Sequence, residues 1–184
     1  MNEQFDDAIV RVANLLKNHN LAFALIGGLA SSIRGRLRVT GDIDIVVDCE
    51  VSAAVLLLKQ MDEKSFQPFV EDAEISIRQF YVLPIVDVES GTPIDLAIGA
   101  SGFEKMIVER ASTPAGYSIP VATAEDLLLM KMMAGRSQDI GDVNGIVEIC
   151  QDTIDWNYCI EIAGQLQETL DFDLVEAIRN LKNA

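Results

Sequence analysis

Apolar residues recur at helical spacing from the beginning of the chain. Phe5, Ile9, Val12, Leu15 and Leu16 fall on one face and predict a helix over Phe5–Asn18, ended by Asn18-His19-Asn20. The run Leu21–Ile26 has the length of a buried strand; Gly27-Gly28 stops it, and Leu29–Gly35 follows as a short helix. From Asp42 to Val47 the period changes to two, with Ile43, Ile45 and Val47 alternating against Asp42, Asp44 and Val46, the pattern of a second strand. Val51–Met61 returns to helical spacing, and Phe66–Gln79 is expected to be a loop followed by a helical turn from Glu71. Leu83–Glu89 and Ile94–Ile98 flank Ser90-Gly91-Thr92-Pro93 and predict a hairpin with Asp95 inside its second strand.

Beyond the hairpin the pattern turns helical. Gly102–Ala111 predicts a helix, and the Pro-, Gly- and Ser-containing stretch Ser112–Val121 predicts a connection, with a last short strand at Tyr117–Val121 and the best boundary in the chain. Thr123-Ala124-Glu125 opens a helix in N-cap fashion that carries Leu127, Leu128 and Met130 to Ala134. Asp139–Cys150, Trp156–Gln167 and Asp173–Leu181 complete the helical tail. The expected fold is α/β: a mixed sheet of four or five strands with flanking helices over 1–121, and an all-helical C-terminal portion over 122–184 packed on it.

Composition narrows the function. A chain of 184 residues, 49% hydrophobic and 23% charged, is long enough for one well-packed domain, or a core plus a small appendage, too short for two full-sized domains and too apolar for disorder. Its 14 basic and 29 acidic residues leave a net charge of −15, which repels phosphate backbones at long range, so a nucleic-acid partner would need a local basic patch. The excess is concentrated late: Gln138–Ala184 holds ten acids against Arg179 and Lys182. Three cysteines without C-x-x-C spacing argue against a disulfide framework or a zinc ribbon. The acidic N-terminus and the absence of an ~18-residue apolar run predict a cytoplasmic protein that neither carries a signal peptide nor spans a membrane. With His19 as the only histidine, catalysis must rest on carboxylates.

Asp42-Ile43-Asp44 supplies them. Alternate strand residues share a face, so both carboxylates project together from an apolar strand, and a hard divalent cation such as Mg²⁺ is the usual way to neutralise such a pair. Taken alone, the same residues describe a solvated strand end. Gly27-Gly28, between strand and helix, offers backbone that a phosphate can approach, and Arg34, Arg36 and Arg38 carry guanidinium groups suited to a triphosphate. Asp95 brings a third carboxylate from a separate strand, either as part of the site or as a strand aspartate paired with a nearby arginine.

Leu25-Ile26-Gly27-Gly28, then Gly35-Arg36 and Arg38 to Ile45, with Pro93-Ile94-Asp95-Leu96 downstream, resemble the nucleotidyltransferases of the DNA polymerase beta superfamily. The resemblance implies Gly27 and Gly28 at the nucleotide phosphates, Asp42 and Asp44 as metal ligands, and Asp95 as the third carboxylate; the Gly-Gly form lacks the serine hydroxyl of the Gly-Ser form. A second block, Glu125 to Lys131 with Arg136, Asp139 and Asp142, resembles the helical motif of the abortive-infection (type IV toxin–antitoxin) nucleotidyltransferase toxins, in which a Lys precedes R-x-x-D-x-x-D. Arg136, Asp139 and Asp142 share a helix face, as a stripe able to close over the nucleotide or as a plain salt-bridge network. Lys131, in an apolar stretch, is either a phosphate contact or a snorkelling lysine.

Together these imply a nucleotidyltransferase that uses two Mg²⁺ ions to move a nucleoside monophosphate from an NTP, ATP among them, to an acceptor hydroxyl with release of pyrophosphate. The toxin resemblance implies tRNA as acceptor and a cognate antitoxin as partner, whereas the acidic surface favours a small-molecule or protein hydroxyl. The alternatives are a non-catalytic, antitoxin-like interaction protein on the same fold and a small-molecule, antibiotic-type transferase.

Overall fold

The computed structural model describes residues 3–99 and 102–183. The chain forms two compact units: one combines the residues up to Leu29 with Val39–Ala122, and the other combines Ala30–Arg38 with the residues from Thr123 onward. The second unit is therefore discontinuous in sequence, Ala30–Arg38 grouping with the helices that follow Ala122.

In the first unit the order is α1 (Glu3–Asn18), β1 (Ala22–Ile26), the start of α2 (Gly27–Arg34), β2 (Ile43–Asp48), α3 (Val51–Gln60), β3 (Phe66–Pro68), α4 (Ala73–Phe80), β4 (Val82–Asp87), β5 (Pro93–Ile98) and α5 (Gly102–Arg110). The five strands form one sheet in the order β1-β2-β5-β4-β3, with β2 and β5 parallel and every other pair antiparallel. This is the mixed sheet with flanking helices that the periodicity predicts.

Register explains which residues are buried. Leu25, Ile45, Leu96 and Leu83 stand side by side across four strands, as do Ile43, Ile94 and Ile85, and all are fully buried on one face. The opposite face carries Asp44, Asp95 and Pro84 in one lateral row and is only partly covered. Apolar residues on the first face and carboxylates on the second are what the two-residue period of a strand dictates.

Three expectations are revised. The Gly-Gly turn is the first two residues of α2 itself: Gly27 has φ +68°, which lets the backbone pass from strand to helix with no intervening loop. The stretch expected as a loop and one helical turn holds a three-residue strand, β3, and an eight-residue helix, α4; too short to show a period of two, β3 is fixed by pairing with β4. The short strand at Tyr117–Val121 is reduced to isolated bridges from Val121 to Leu25 and to Ser112.

Asp87, the last residue of β4, is fully buried, and Arg11 of α1 reaches it with two hydrogen bonds of 2.8 and 2.7 Å while Ser90 donates from its hydroxyl and its backbone N–H. Burial pushes the Asp87 carboxyl up, but the bonds from Arg11 and Ser90 outweigh it and hold the group below the usual carboxylate range. The stabilisation is therefore complete above the ordinary aspartate range and is lost as pH falls through the lowered value. Arg11→Ala is expected to cost about 3 kcal/mol by leaving Asp87 buried without its cation, and a urea titration at neutral pH checks it.

The second unit is helical: the remainder of α2, then α6 (Ala124–Ala134), α7 (Ser137–Cys150), α8 (Trp156–Leu166), a 3₁₀ turn at Gln167–Thr169 and α9 (Leu174–Lys182). Caps set its helix starts. Thr123 accepts from Asp126 N–H, Asp155 from the N–H groups of Asn157 and Tyr158, and Asp173 from Glu176 N–H. Buried Asp126 also accepts from the Tyr158 hydroxyl at 2.6 Å, tying α6 to α8. Gly35 and Gly145 lie so close that a Cβ on either would press on the other segment, which explains a glycine within α7. No helix among the described residues is long and apolar enough to cross a membrane.

Candidate active site

The carboxylates of the sequence motif lie in the first unit, two of them side by side and the third near enough to act on one of these by its charge. Asp44 lies in β2 directly opposite Asp95 in the parallel β5, so their side chains share the partly open face; Asp42 sits just before β2, where its Oδ1 accepts from Thr40 Oγ1 at 2.6 Å. Partial burial, and next the charge of Asp42, push the Asp95 carboxyl above its usual range. Among the described residues no basic side chain forms an ion pair with Asp95, so the arginine-paired alternative finds no partner.

Ile26, the last residue of β1, is the other neighbour of Asp44, and the chain turns there into α2. A Cβ on Gly27 would overlap the Asp44 carboxylate, and its positive φ adds strain for any other residue. Glycine at 27 is thus required twice over: it starts the helix, and it makes room for the carboxylate. The N-terminal end of α2, where Gly27 and Gly28 stand, carries no acidic residue of its own in its first turn.

The donor set fits a hard divalent cation. It consists of carboxylate oxygens, and the field of Asp42 on Asp95 is what such a cation would relieve. No group of three or more acidic, histidine or cysteine side chains among the described residues is already gathered at ligand spacing.

The other expected site residues all lie in the second unit and mostly engage one another. Lys131 Nζ lies 3.0 Å from Asp139 Oδ1 and 2.7 Å from Asp142 Oδ2, with all three side chains buried. Asp139 also accepts from the backbone N–H and Nε of Arg136, so a carboxylate in the first turn of α7 reaches back to the residue that caps the helix. Burial raises the Asp139 carboxyl, but the bonds from Arg136 and Lys131 outweigh it and leave it below the usual range. Arg38 Nε meets Asp142 Oδ1 at 2.9 Å, Arg36 pairs with Glu148, and the Arg34 carbonyl accepts from Cys150 Sγ. A cavity of about 330 Å³ lies beside this network, lined by Arg36, Leu37, Arg38, Gln138, Gly141, Asp142 and Gly145.

The sequence motifs leave out the residues that continue the carboxylate row. Pro84 is the β4 neighbour of Asp95, and Phe69 N–H donates to the Pro84 carbonyl at 2.9 Å, extending the β3–β4 pairing by one residue. Phe69 lies one residue past β3, and it is this pairing that brings its backbone beside Pro84.

A strand–helix junction abutting one of two in-register carboxylates is the arrangement in which the family match can be understood. Residues 4–181 match the model of the family described as nucleotidyltransferase of unknown function (DUF6036). The chain belongs to that family. No curated protein matches its sequence. Among solved structures, the antibiotic-resistance factor ANT(2'')-Ia aligns with a TM-score of 0.58 at 14% identity, covering 98% of this chain and 94% of that one. An antigenic nucleotidyltransferase-like protein from Paracoccidioides brasiliensis aligns with a TM-score of 0.54 at 16% identity, covering 97% and 93%. At these identities the likeness is one of fold, so the DUF6036 chain has a nucleotidyltransferase-like fold.

Proposed function

We propose that the chain is a divalent-cation-dependent nucleotidyltransferase that moves a nucleoside monophosphate from an NTP to an acceptor hydroxyl. The observation that carries this is the contact of Asp44 with Gly27 at the start of α2, with Asp95 in register beside it. Bound Mg²⁺, held by Asp42, Asp44 and Asp95, would neutralise charge on the transferring phosphoryl group. Gly27 and Gly28 at the start of α2 hold the triphosphate, since helix N-terminal amides favour anions. The acceptor oxygen forms a bond to the α-phosphorus as the bond from that phosphorus to the bridging oxygen breaks. Pyrophosphate leaves with the electron pair, and the acceptor proton passes to the Asp95 carboxylate.

Of the possible acceptors, a small molecule fits best. The net charge of −15 opposes a polyanion, and ANT(2'')-Ia, a neighbour in fold, is described as an antibiotic-resistance factor. The residues behind the toxin resemblance, Lys131, Arg136, Asp139 and Asp142, are engaged with one another within α6–α7, which gives tRNA transfer and a cognate antitoxin no separate support.

The test is incubation of purified protein with each of four α-labelled NTPs and Mg²⁺, with tRNA, protein or small-molecule acceptors, and with the double variant Asp42→Ala/Asp44→Ala as control. Metal-dependent transfer that the control lacks supports the reading and identifies the acceptor. If pyrophosphate release is absent throughout and Mg²⁺-NTP does not raise the melting temperature, the chain is instead a non-catalytic interaction protein.

A further inference from the structure

We propose that Pro84 and Phe69 form the acceptor subsite, a shelf that stacks against a ring of the acceptor and selects a neutral or cationic molecule over a phosphorylated one. This rests on the reading of Asp95 as the carboxylate facing the acceptor. The row across the open face runs Ile26, Asp44, Asp95, Pro84, Phe69, each residue beside the next through strand register or, at its end, the Phe69–Pro84 backbone bond. The triphosphate end of the row is fixed by Gly27 next to Asp44. In an in-line displacement the attacking oxygen enters opposite the leaving pyrophosphate, so the acceptor lies beyond Asp95, where the row continues into Pro84 and Phe69.

Phe69 is 64% exposed and follows β3 by one residue, at the end of a sheet face that is only partly covered. Two strand spacings separate it from Asp95, about 10 Å, so an acceptor that reaches both carries its reactive hydroxyl about one ring beyond the ring that stacks. The charge around the shelf decides the class. Asp42 and Asp95 stand at one side, and exposed Glu71 and Asp72 follow Phe69 and Val70 at the other, whereas Arg78 and Lys59 of the neighbouring helices are paired with Glu74. An aromatic face in an acidic field attracts a cation and repels a phosphate.

The test uses two probes of one shape, an aryl glucoside bearing a primary ammonium group and the same glucoside bearing a phosphate. They are titrated into protein labelled with 4-fluorophenylalanine, with the Phe69 ¹⁹F resonance assigned by its loss in Phe69→Leu. A saturable shift of that resonance with the ammonium probe, at least about tenfold tighter than with the phosphate probe, is expected from one lost or gained charge contact. No shift, or tighter binding of the phosphate probe or of an RNA trinucleotide, overturns the proposal. Once an acceptor is known, Phe69→Ala should raise its KM about tenfold with the NTP KM unchanged, and Phe69→Tyr should restore it. An unchanged acceptor KM, or a raised NTP KM, overturns it as well. Saturable binding without any transfer would sink the enzymatic reading and leave the shelf as a ligand site; transfer that ignores Phe69 would do the reverse.

Discussion

Asp95→Asn is expected to lower nucleotidyl transfer by roughly 10³-fold, the scale on which a single electrostatic contact to a reacting centre acts, while leaving the fold as stable as before or slightly more so. The two halves of this expectation come from the same geometry. Asp95 stands in register with Asp44 and in the field of Asp42, and burial together with that charge already holds its carboxyl up. A carboxyl raised in the folded state lets the native protein bind more protons than the unfolded chain, so the metal-free protein loses stability as pH climbs from the ordinary aspartate range through the raised value. Asparagine removes that loss together with the metal-ligating and proton-accepting oxygen. Steady-state pyrophosphate release and thermal melts at pH 4 to 7 read both effects. A strand aspartate with a merely structural role would give the opposite pairing, lower melting temperature and unaffected turnover.

Much of this site is legible in the sequence because a strand has a period of two. Asp42, Asp44 and Asp95 could be assigned to one side of apolar strands before any pairing was known, and the spacing of Gly27-Gly28 from them marked the junction. What could not be read was the register. That Asp44 lies opposite Asp95, or that Phe69 continues the row, follows from the β2–β5 pairing of residues 51 apart and from the β4–β3 pairing of segments joined through α4, which no local pattern encodes. The helical half was legible for a different reason. Caps such as Thr123, Asp155 and Asp173 act within four residues, so their positions fix helix starts directly. The same locality misleads at Arg136-x-x-Asp139: spacing brings the two side chains together on α7, but only the tertiary position of Lys131 shows that the pair is part of a buried cluster.

That cluster leads to the second large effect. Lys131→Ala is expected to destabilise the protein by about 3–5 kcal/mol, the usual consequence of removing one partner from a buried ion pair, because Asp139 and Asp142 would be left buried with their common cation gone. Arg136 and Arg38 contact the same carboxylates from more exposed positions and compensate only in part, since an exposed guanidinium is screened by water. Lys131→Ala in combination with Asp139→Asn and Asp142→Asn should recover much of the loss by removing the stranded charges. Urea midpoints of the single and triple variants measure this directly. A lysine whose main work was to hold a nucleotide phosphate would behave otherwise: Lys131→Ala would keep its urea midpoint, NTP binding would weaken, and the added asparagines would rescue nothing. The buried position of the ammonium group between two carboxylates on α7 favours the first outcome, with Lys131 fastening α6 to α7.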